Sequence, residues 1–339
     1  MIDARRGATP AALLLSFAVL VAVAAGARAE ARPTALPSTP QGWLERMSQA
    51  LRSRSFEGTF VYLHSGQIET MRIVHEAQAG GGERERVLAL NGPARQIVRD
   101  DQEITCILPD RKLVVVEKRR PHLPFPIIVP IDTARLRPYY VFQMFGHHRV
   151  AGRAAQAIAI LPRDRYRYGY YLYMDVATGL PLESVVLNEH GRRVEQILFT
   201  SLKVVEHIPP RELEPESVAG KGFTFYRQEG GESPGIPGTN HWVLGPVPAG
   251  FAQIMYTRRR LPGSRNPVQH LVLSDGLASV SVYIEKPVDG KGLRGVSHMG
   301  AVNAYGRMTD GHQITVVGEV PEATVRAVSD ALHYDSAGK

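Results

Sequence analysis

The sequence predicts an α+β protein, mainly antiparallel β, with a large N-terminal sheet curled into an unclosed barrel and a smaller α+β domain behind it. Three observations predict this. Short segments of alternating apolar and polar residues recur along most of the chain, separated by turn signals drawn from 32 Gly and 24 Pro. Helical periodicity is confined to a few short stretches. A Gly- and Pro-rich break near residues 209–240 divides the chain into unequal parts. With 339 residues, 44% of them hydrophobic and 22% charged, there is material for about two domains, each able to bury its own core.

The first 29 residues form an export signal, expected to be cleaved. Arg5 and Arg6 make the basic start, Ala11 to Ala25 the apolar run, and Ala27-Arg28-Ala29 the small-residue cleavage site before Glu30. The apolar run is shorter than the roughly 20 residues a membrane span needs. Losing Asp3, Arg5, Arg6 and Arg28 lowers the net charge from +7 to +5. The single cysteine, Cys106, has no cysteine to pair with, which excludes disulfide scaffolds and zinc ribbons. Its alternating context, Ile104 to Leu108, reads as core.

In the mature chain, Thr39-Pro40 reads as an N-cap followed by proline in the first helical turn, and Trp43, Met47, Ala50 and Leu51 share one helix face. Phe56 to His64 and Glu69 to His75 flank Ser65-Gly66 as a hairpin. Strands are expected at Arg86 to Asn91, Arg95 to Asp100, Ile104 to Leu108 and Lys112 to Glu117. A proline-dense excursion, Pro121 to Pro138, leads to Tyr139 to Phe145, read as a second short helix ending at Gly146. Strands at Tyr166 to Asp175, Leu182 to Asn188 and Arg193 to Val205 complete residues 30–208, with about nine or ten antiparallel strands in a half-closed barrel. After the 209–240 linker, residues 241–335 carry strands at Ala252 to Thr257, His270 to Leu273, Ala278 to Glu285 and His312 to Glu319, then a helix from Pro321 to Leu332.

Catalytic patterns fail on their context. Gly231-Glu-Ser-Pro-Gly235 fits G-x-S-x-G, but the residue after Ser233 is Pro234, which has no N–H for an oxyanion hole. Gly290 to Gly295 fits G-x-G-x-x-G, yet no helix follows, so it reads as a hairpin loop in a turn-rich stretch through Gly300 and Gly306. The 12 histidines show no H-E-x-x-H spacing. No enzyme activity, metal or cofactor is expected. Basic clusters stand out instead: Arg163, Arg165 and Arg167 alternate so as to share one face of an extended segment, and Arg258, Arg259 and Arg260 form a second group. An exported chain has little use for nucleic acid, so anionic lipid headgroups or an acidic peptide are the candidate ligands of these arginines.

The motifs Arg149-Val-Ala-Gly-Arg153, Leu161 to Tyr170, Asp175 to Leu182 and Glu195 to Thr200, with Leu273 to Ser281 and Val317 to Pro321, resemble the MucB/RseB family of periplasmic regulators of the envelope-stress sigma factor. The resemblance covers essentially the whole mature chain. It implies a large domain like the lipoprotein carriers LolA and LolB, an unclosed β-barrel with an apolar cavity, joined to a smaller C-terminal domain. It also implies a periplasmic protein that binds the periplasmic segment of a single-span anti-sigma factor, shields it from regulated proteolysis, and is released by lipopolysaccharide or another acylated lipid. Within that frame, Phe60, Tyr62, Ile73, Phe125, Met144 and Phe145 are candidates for lining or plugging the cavity. A lipid or lipoprotein carrier of the LolA type is the alternative, disfavoured by the added second domain, and a homo-oligomer stays open.

Overall fold

The computed structural model describes residues 35–118, 132–216, 218–228, 242–259, 267–287 and 292–334. The expected export signal, Phe125, Arg260, the Ser233 motif and the start of the 290–295 glycine motif lie outside them. From Pro37 onward the chain is one compact unit.

Helix α1, Pro40–Ser53, starts where the sequence places it: the Thr39 side chain accepts the Gly42 N–H, and proline occupies the first turn. Trp43, Leu44, Met47 and Ala50 form its buried stripe. Strands β1 (Ser55–His64) and β2 (Gln67–Ala77) meet at Ser65 and Gly66, both with positive φ, which is the turn geometry that matches strand twist. Strands β3 (Glu83–Ala89), β4 (Gln96–Arg99), β5 (Glu103–Leu108) and β6 (Leu113–Lys118) continue the antiparallel meander. A single helical turn, α2 (Thr133–Leu136), is capped by Asp132. The chain then runs through β7 (Tyr140–Val150), β8 (Arg153–Pro162), β9 (Gly169–Asp175), β10 (Pro181–Leu187) and β11 (Arg193–Val205).

Strand β11 pairs with β1, joining the two meanders, and β12 (Thr224–Gln228) lies parallel to β6 at the far edge. The resulting twelve strands run in the order β12-β6-β5-β4-β3-β2-β1-β11-β10-β9-β8-β7. Since β12 and β7 are its outer strands, the sheet does not close. Its inner face packs on α1, where Phe56, Phe60, Ile73, Ile158, Met174, Leu182 and Phe199 surround the helix stripe.

A second, six-stranded sheet follows a short strand β13 (Trp242–Leu244). It comprises β14 (Ala252–Arg259), β15 (Val268–Ser274), β16 (Ser279–Glu285), β17 (Gly295–Met299), β18 (Val302–Thr309) and β19 (His312–Gly318) in the order β14-β15-β16-β19-β18-β17. Helix α3 (Glu322–Asp330) buries Val325 and Val328 against Val280, Val282, Ile314 and Val316, and β20 (Leu332–Tyr334) returns to pair with β13. The architecture is the expected α+β, mainly antiparallel one.

Several expectations need correction. Residues Tyr139 to Phe145 are not a helix: from Tyr140 they belong to β7. A short apolar run carries no decisive period, and pairing with β8 settles it, placing Phe142 opposite Ile160 and Met144 opposite Ile158. Gly146, with φ of 87°, does not end a helix; it sits where the β7–β8 register shifts, a bulge that needs a left-handed residue. Strand β8 escaped notice because Ala154 to Ile160 is alanine-rich, and from Ala155 on it is buried on both faces, so it lacks alternation. Residues 292–294 lead into β17, and Gly295 to Thr309, given no element by the sequence pattern, form a β17–β18 hairpin. Gly306 is in mid-strand because a Cβ there would collide with the Leu293 carbonyl. Part of the presumed linker is strand β12, and Cys106 is only half-buried, with burial pushing its thiol pKa up.

Met47 is wholly buried under the sheet. Replacing it by Ala should cost about 2–5 kcal/mol, read as a lower urea midpoint at unchanged slope.

Candidate functional site

The cavity candidates divide by depth. Phe60 and Ile73 are core side chains: the Phe60 ring lies 5.5 Å from that of Phe199, and Ile73 is fully covered. Tyr62 is half-buried, stacked on His64 at 4.4 Å. Met144 and Phe145 are different, at 40% and 43% exposure on the outer strand β7, where Gln143 to Arg149 are all exposed. Register places Met144 on the core side of the sheet, opposite Ile158. Strand alternation sends Phe145 to the other side, where its ring stacks on Tyr171 at 4.4 Å and lies 5.9 Å from His148, which meets Tyr173 edge-on. The alanines at 157 and 159 pair with Tyr173 and Tyr171, leaving room above β8 for these rings. The structure therefore joins Phe60 and Ile73 beneath α1 and separates them from Met144 and Phe145 at the open edge.

The arginine triplet does not share a face. Asp164 accepts the Tyr166 N–H, a side-chain turn that bends the β8–β9 connection out of extended form. Arg163 and Arg165 stay exposed; Arg163 donates to the Arg137 carbonyl, and Arg165 lies over the Tyr166 ring at 5.3 Å. Arg167 turns inward and has no exposed surface at all. Arg258 is exposed on β14, and Arg259 ends that strand.

Arg167 is the centre of the seam between the two sheets. Its Nε donates to Asp275 at 2.7 Å, its other nitrogens reach Asp164 and the Ala249 carbonyl, and its guanidinium lies 4.6 Å from the Tyr139 ring and 4.9 Å from Phe251. Asp275, equally buried, also accepts the Tyr140 hydroxyl at 3.1 Å and, through its other oxygen, the Leu277 and Ala278 N–H groups. This is the satisfied form of a buried ion pair, with the lone pairs of the acid occupied. Burial foremost pushes the Tyr140 hydroxyl well above its ordinary range, so it remains a donor. Around this pair, Leu277 and Ala301 join the core of the large sheet. Asn303 bridges Tyr168 to the Val320 carbonyl, and Thr324 donates to the Tyr166 carbonyl at 2.6 Å.

Sequence reasoning assigned Arg167 to a lipid or peptide surface and missed Asp275. The available signal was the Ser274-Asp-Gly-Leu turn, whose acid is followed by Leu277 and Ala278 in an apolar strand context. Among the described residues no cluster of His, Cys, Asp and Glu could hold a metal ion, and no helix is long and apolar enough to cross a membrane.

Comparison with known proteins covers both sheets. The family model for the MucB/RseB N-terminal domain matches residues 39–217, and that for the MucB/RseB C-terminal domain matches 237–333. The sigma factor AlgU regulatory protein MucB of Pseudomonas aeruginosa is 34% identical over 96% of this chain and 98% of its own. The sigma-E factor regulatory protein RseB of Escherichia coli K12 is 26% identical over 87% of this chain and 90% of its own. A crystal structure of MucB in complex with MucA(peri) is similar with a TM-score of 0.67 and 34% identity, over 88% of this chain and all of that one.

Replacing Arg167 by Ala leaves Asp275 buried and unpaired, and should cost about 3–5 kcal/mol. Arg167→Met combined with Asp275→Leu should recover much of that loss, because no charge is then stranded; urea melts of both variants check this.

Proposed function

The chain belongs to the MucB/RseB family, and from that premise we propose that it is a periplasmic regulatory protein that acts by binding and not by catalysis. It holds the periplasmic segment of a single-span anti-sigma factor, shields that segment from regulated proteolysis, and lets go when lipopolysaccharide or another acylated lipid binds. The observation that carries this reading is the end-to-end similarity to a MucB whose structure has been solved together with MucA(peri). An export signal at residues 1–29 supports the compartment. Two features of the fold suit such a role. The sheet is open at β7 and β12, which leaves strand edges for an extended segment, and a second domain is fixed to the first through Arg167 and Asp275. The second feature disfavours a simple lipid carrier of the LolA type, which has no need of an added domain.

Lipid entry is assigned to the open end of the inner face, where Met144 is exposed at the rim beside the buried Ile158. Phe60 and Ile73 then form the floor under α1, and Tyr62 lies beside them. Arg163 and Arg165, exposed in the β8–β9 connection, are suited to attract lipid phosphates.

The test is a cleavage assay with the mature protein, the anti-sigma factor's periplasmic segment and the protease that starts its degradation. Cleavage should slow by about tenfold or more at saturation, and lipopolysaccharide should restore it; cleavage unaffected by the protein would overturn the proposal. Met144→Glu should blunt lipid-dependent release while leaving protection intact, because a carboxylate at the rim repels an acyl chain but lies on an exposed strand.

A further inference from the structure

We propose that the anti-sigma segment is taken up at the β12 edge of the large sheet, where it adds as a further strand to the backbone groups of Phe225 and Arg227. This rests on the binding role proposed above and names the surface that performs it.

The outward groups follow from the pairing. Strand β12 lies parallel to β6, with Thr224 opposite Leu113, Tyr226 opposite Val115 and Gln228 opposite Glu117. The Thr224 N–H donates to the Lys112 carbonyl at 2.7 Å, the slanted bond of a parallel ladder, in which every second residue bonds to the neighbour. Thr224, Tyr226 and Gln228 therefore direct their amides and carbonyls at β6. Phe225 and Arg227 turn theirs away from it, and among the described residues no strand lies on that side. A row of unpaired N–H and C=O groups is recognised by one kind of ligand, an extended polypeptide.

The side chains of this edge fit the same ligand. Thr224 to Arg227 are all exposed, Phe225 at 60% and Tyr226 at 41%. Neighbouring residues of a strand face opposite sides, so one aromatic ring flanks each face of the edge. Aromatic side chains are the commonest anchors of a binding surface. Arg227, the one charged residue of β12, is drawn across β6 onto Glu103 of β5 and does not guard the edge.

The opposite outer strand is blunted. In β7 the register shifts between Met144 and His147, His148 Nε2 meets the Phe145 carbonyl at 3.1 Å, and His147, His148 and Arg149 follow one another. Bulges and charges are the ordinary means of keeping an edge from pairing. Strand β12 has an unbroken register and no proline.

It is also held in place before any partner arrives. Val218 and Phe223 pack on Ile107, Val114 and Val116, and earlier in the same crossing Ile208 and Leu213 pack on Val74 while Glu212 pairs with Arg72 at 2.9 Å. A template fixed in advance has little freedom left to lose on binding. The matching segment is a stretch about as long as β12, free of proline, with bulky apolar side chains on both faces.

Hydrogen exchange of the mature full chain, alone and with the anti-sigma factor's periplasmic segment, tests this at single amides. The segment should slow exchange at Phe225 and Arg227 by about tenfold or more, and change Thr224 and Tyr226, already bonded to β6, far less. Phe225→Pro removes an outward N–H and should weaken binding about tenfold, whereas Phe225→Leu, which keeps the amide and an apolar side chain, should stay within about threefold. Retained protection of Val114 shows that β12 is still seated in the proline variant; if it is not, the wild-type exchange decides alone. A bound segment that leaves Phe225 and Arg227 exchanging as before overturns the β12 assignment, as does new protection confined to β7. Proline at 225 without effect on affinity, in a seated β12, does the same. Absence of any binding to the wild type sinks the regulatory role itself, and this edge with it.

Discussion

The Arg167–Asp275 ion pair is the contact on which the two-domain arrangement rests. A guanidinium with no exposed surface is tolerable only because every side of it is answered: two carboxylates, a carbonyl and aromatic rings. Those answers come from both domains, Asp164, Tyr139 and Tyr140 from one, Asp275, Ala249 and Phe251 from the other. Removing either domain would strand a charge in the surface of the remaining one. The pair is therefore better understood as a specification of how the domains sit than as a large net source of stability, since buried pairs often do no better than apolar replacements.

The seam joins features that have separate origins in the sequence. Asp275 is held by its own tight turn, through the Leu277 and Ala278 N–H groups, so its carboxylate is oriented by the small domain alone. Arg167 is oriented by the Asp164 turn of the large domain. Each partner is thus preorganised before docking, and little side-chain entropy remains to be lost when they meet.

Most of the architecture was legible in the sequence because the signals were local. Thr39-Pro40 fixed the start of α1, Ser65-Gly66 the first hairpin, and alternation the strands on either side. What remained hidden was decided by distant partners. Strand β7 looks helical until β8 is beside it, and β8 itself lacks alternation because both its faces are covered. The arginine triplet reads as an extended basic face unless one weighs the capacity of Asp164 to bend the chain. Of the candidate ligand-binding residues, burial shows Phe60 and Ile73 to be core and Met144 and Phe145 to be surface, a distinction that hydrophobicity alone does not make. Asp275 was invisible for the opposite reason: an acid in a Ser-Asp-Gly turn is ordinarily solvated, and only a far-off arginine makes it central.

The pairing of β1 with both β2 and β11 has a consequence for the order in which the molecule can be made. The first hairpin is local, but the other neighbour of β1 is residues 193–205, well over a hundred positions away. Until that strand arrives, the midline of the sheet is missing and the apolar stripe of α1 lacks part of its bed, including Phe199. Long-range closure of this kind is slow and leaves strand edges exposed meanwhile. The interval between delivery of α1 and delivery of β11 is when the chain is most open to misassembly.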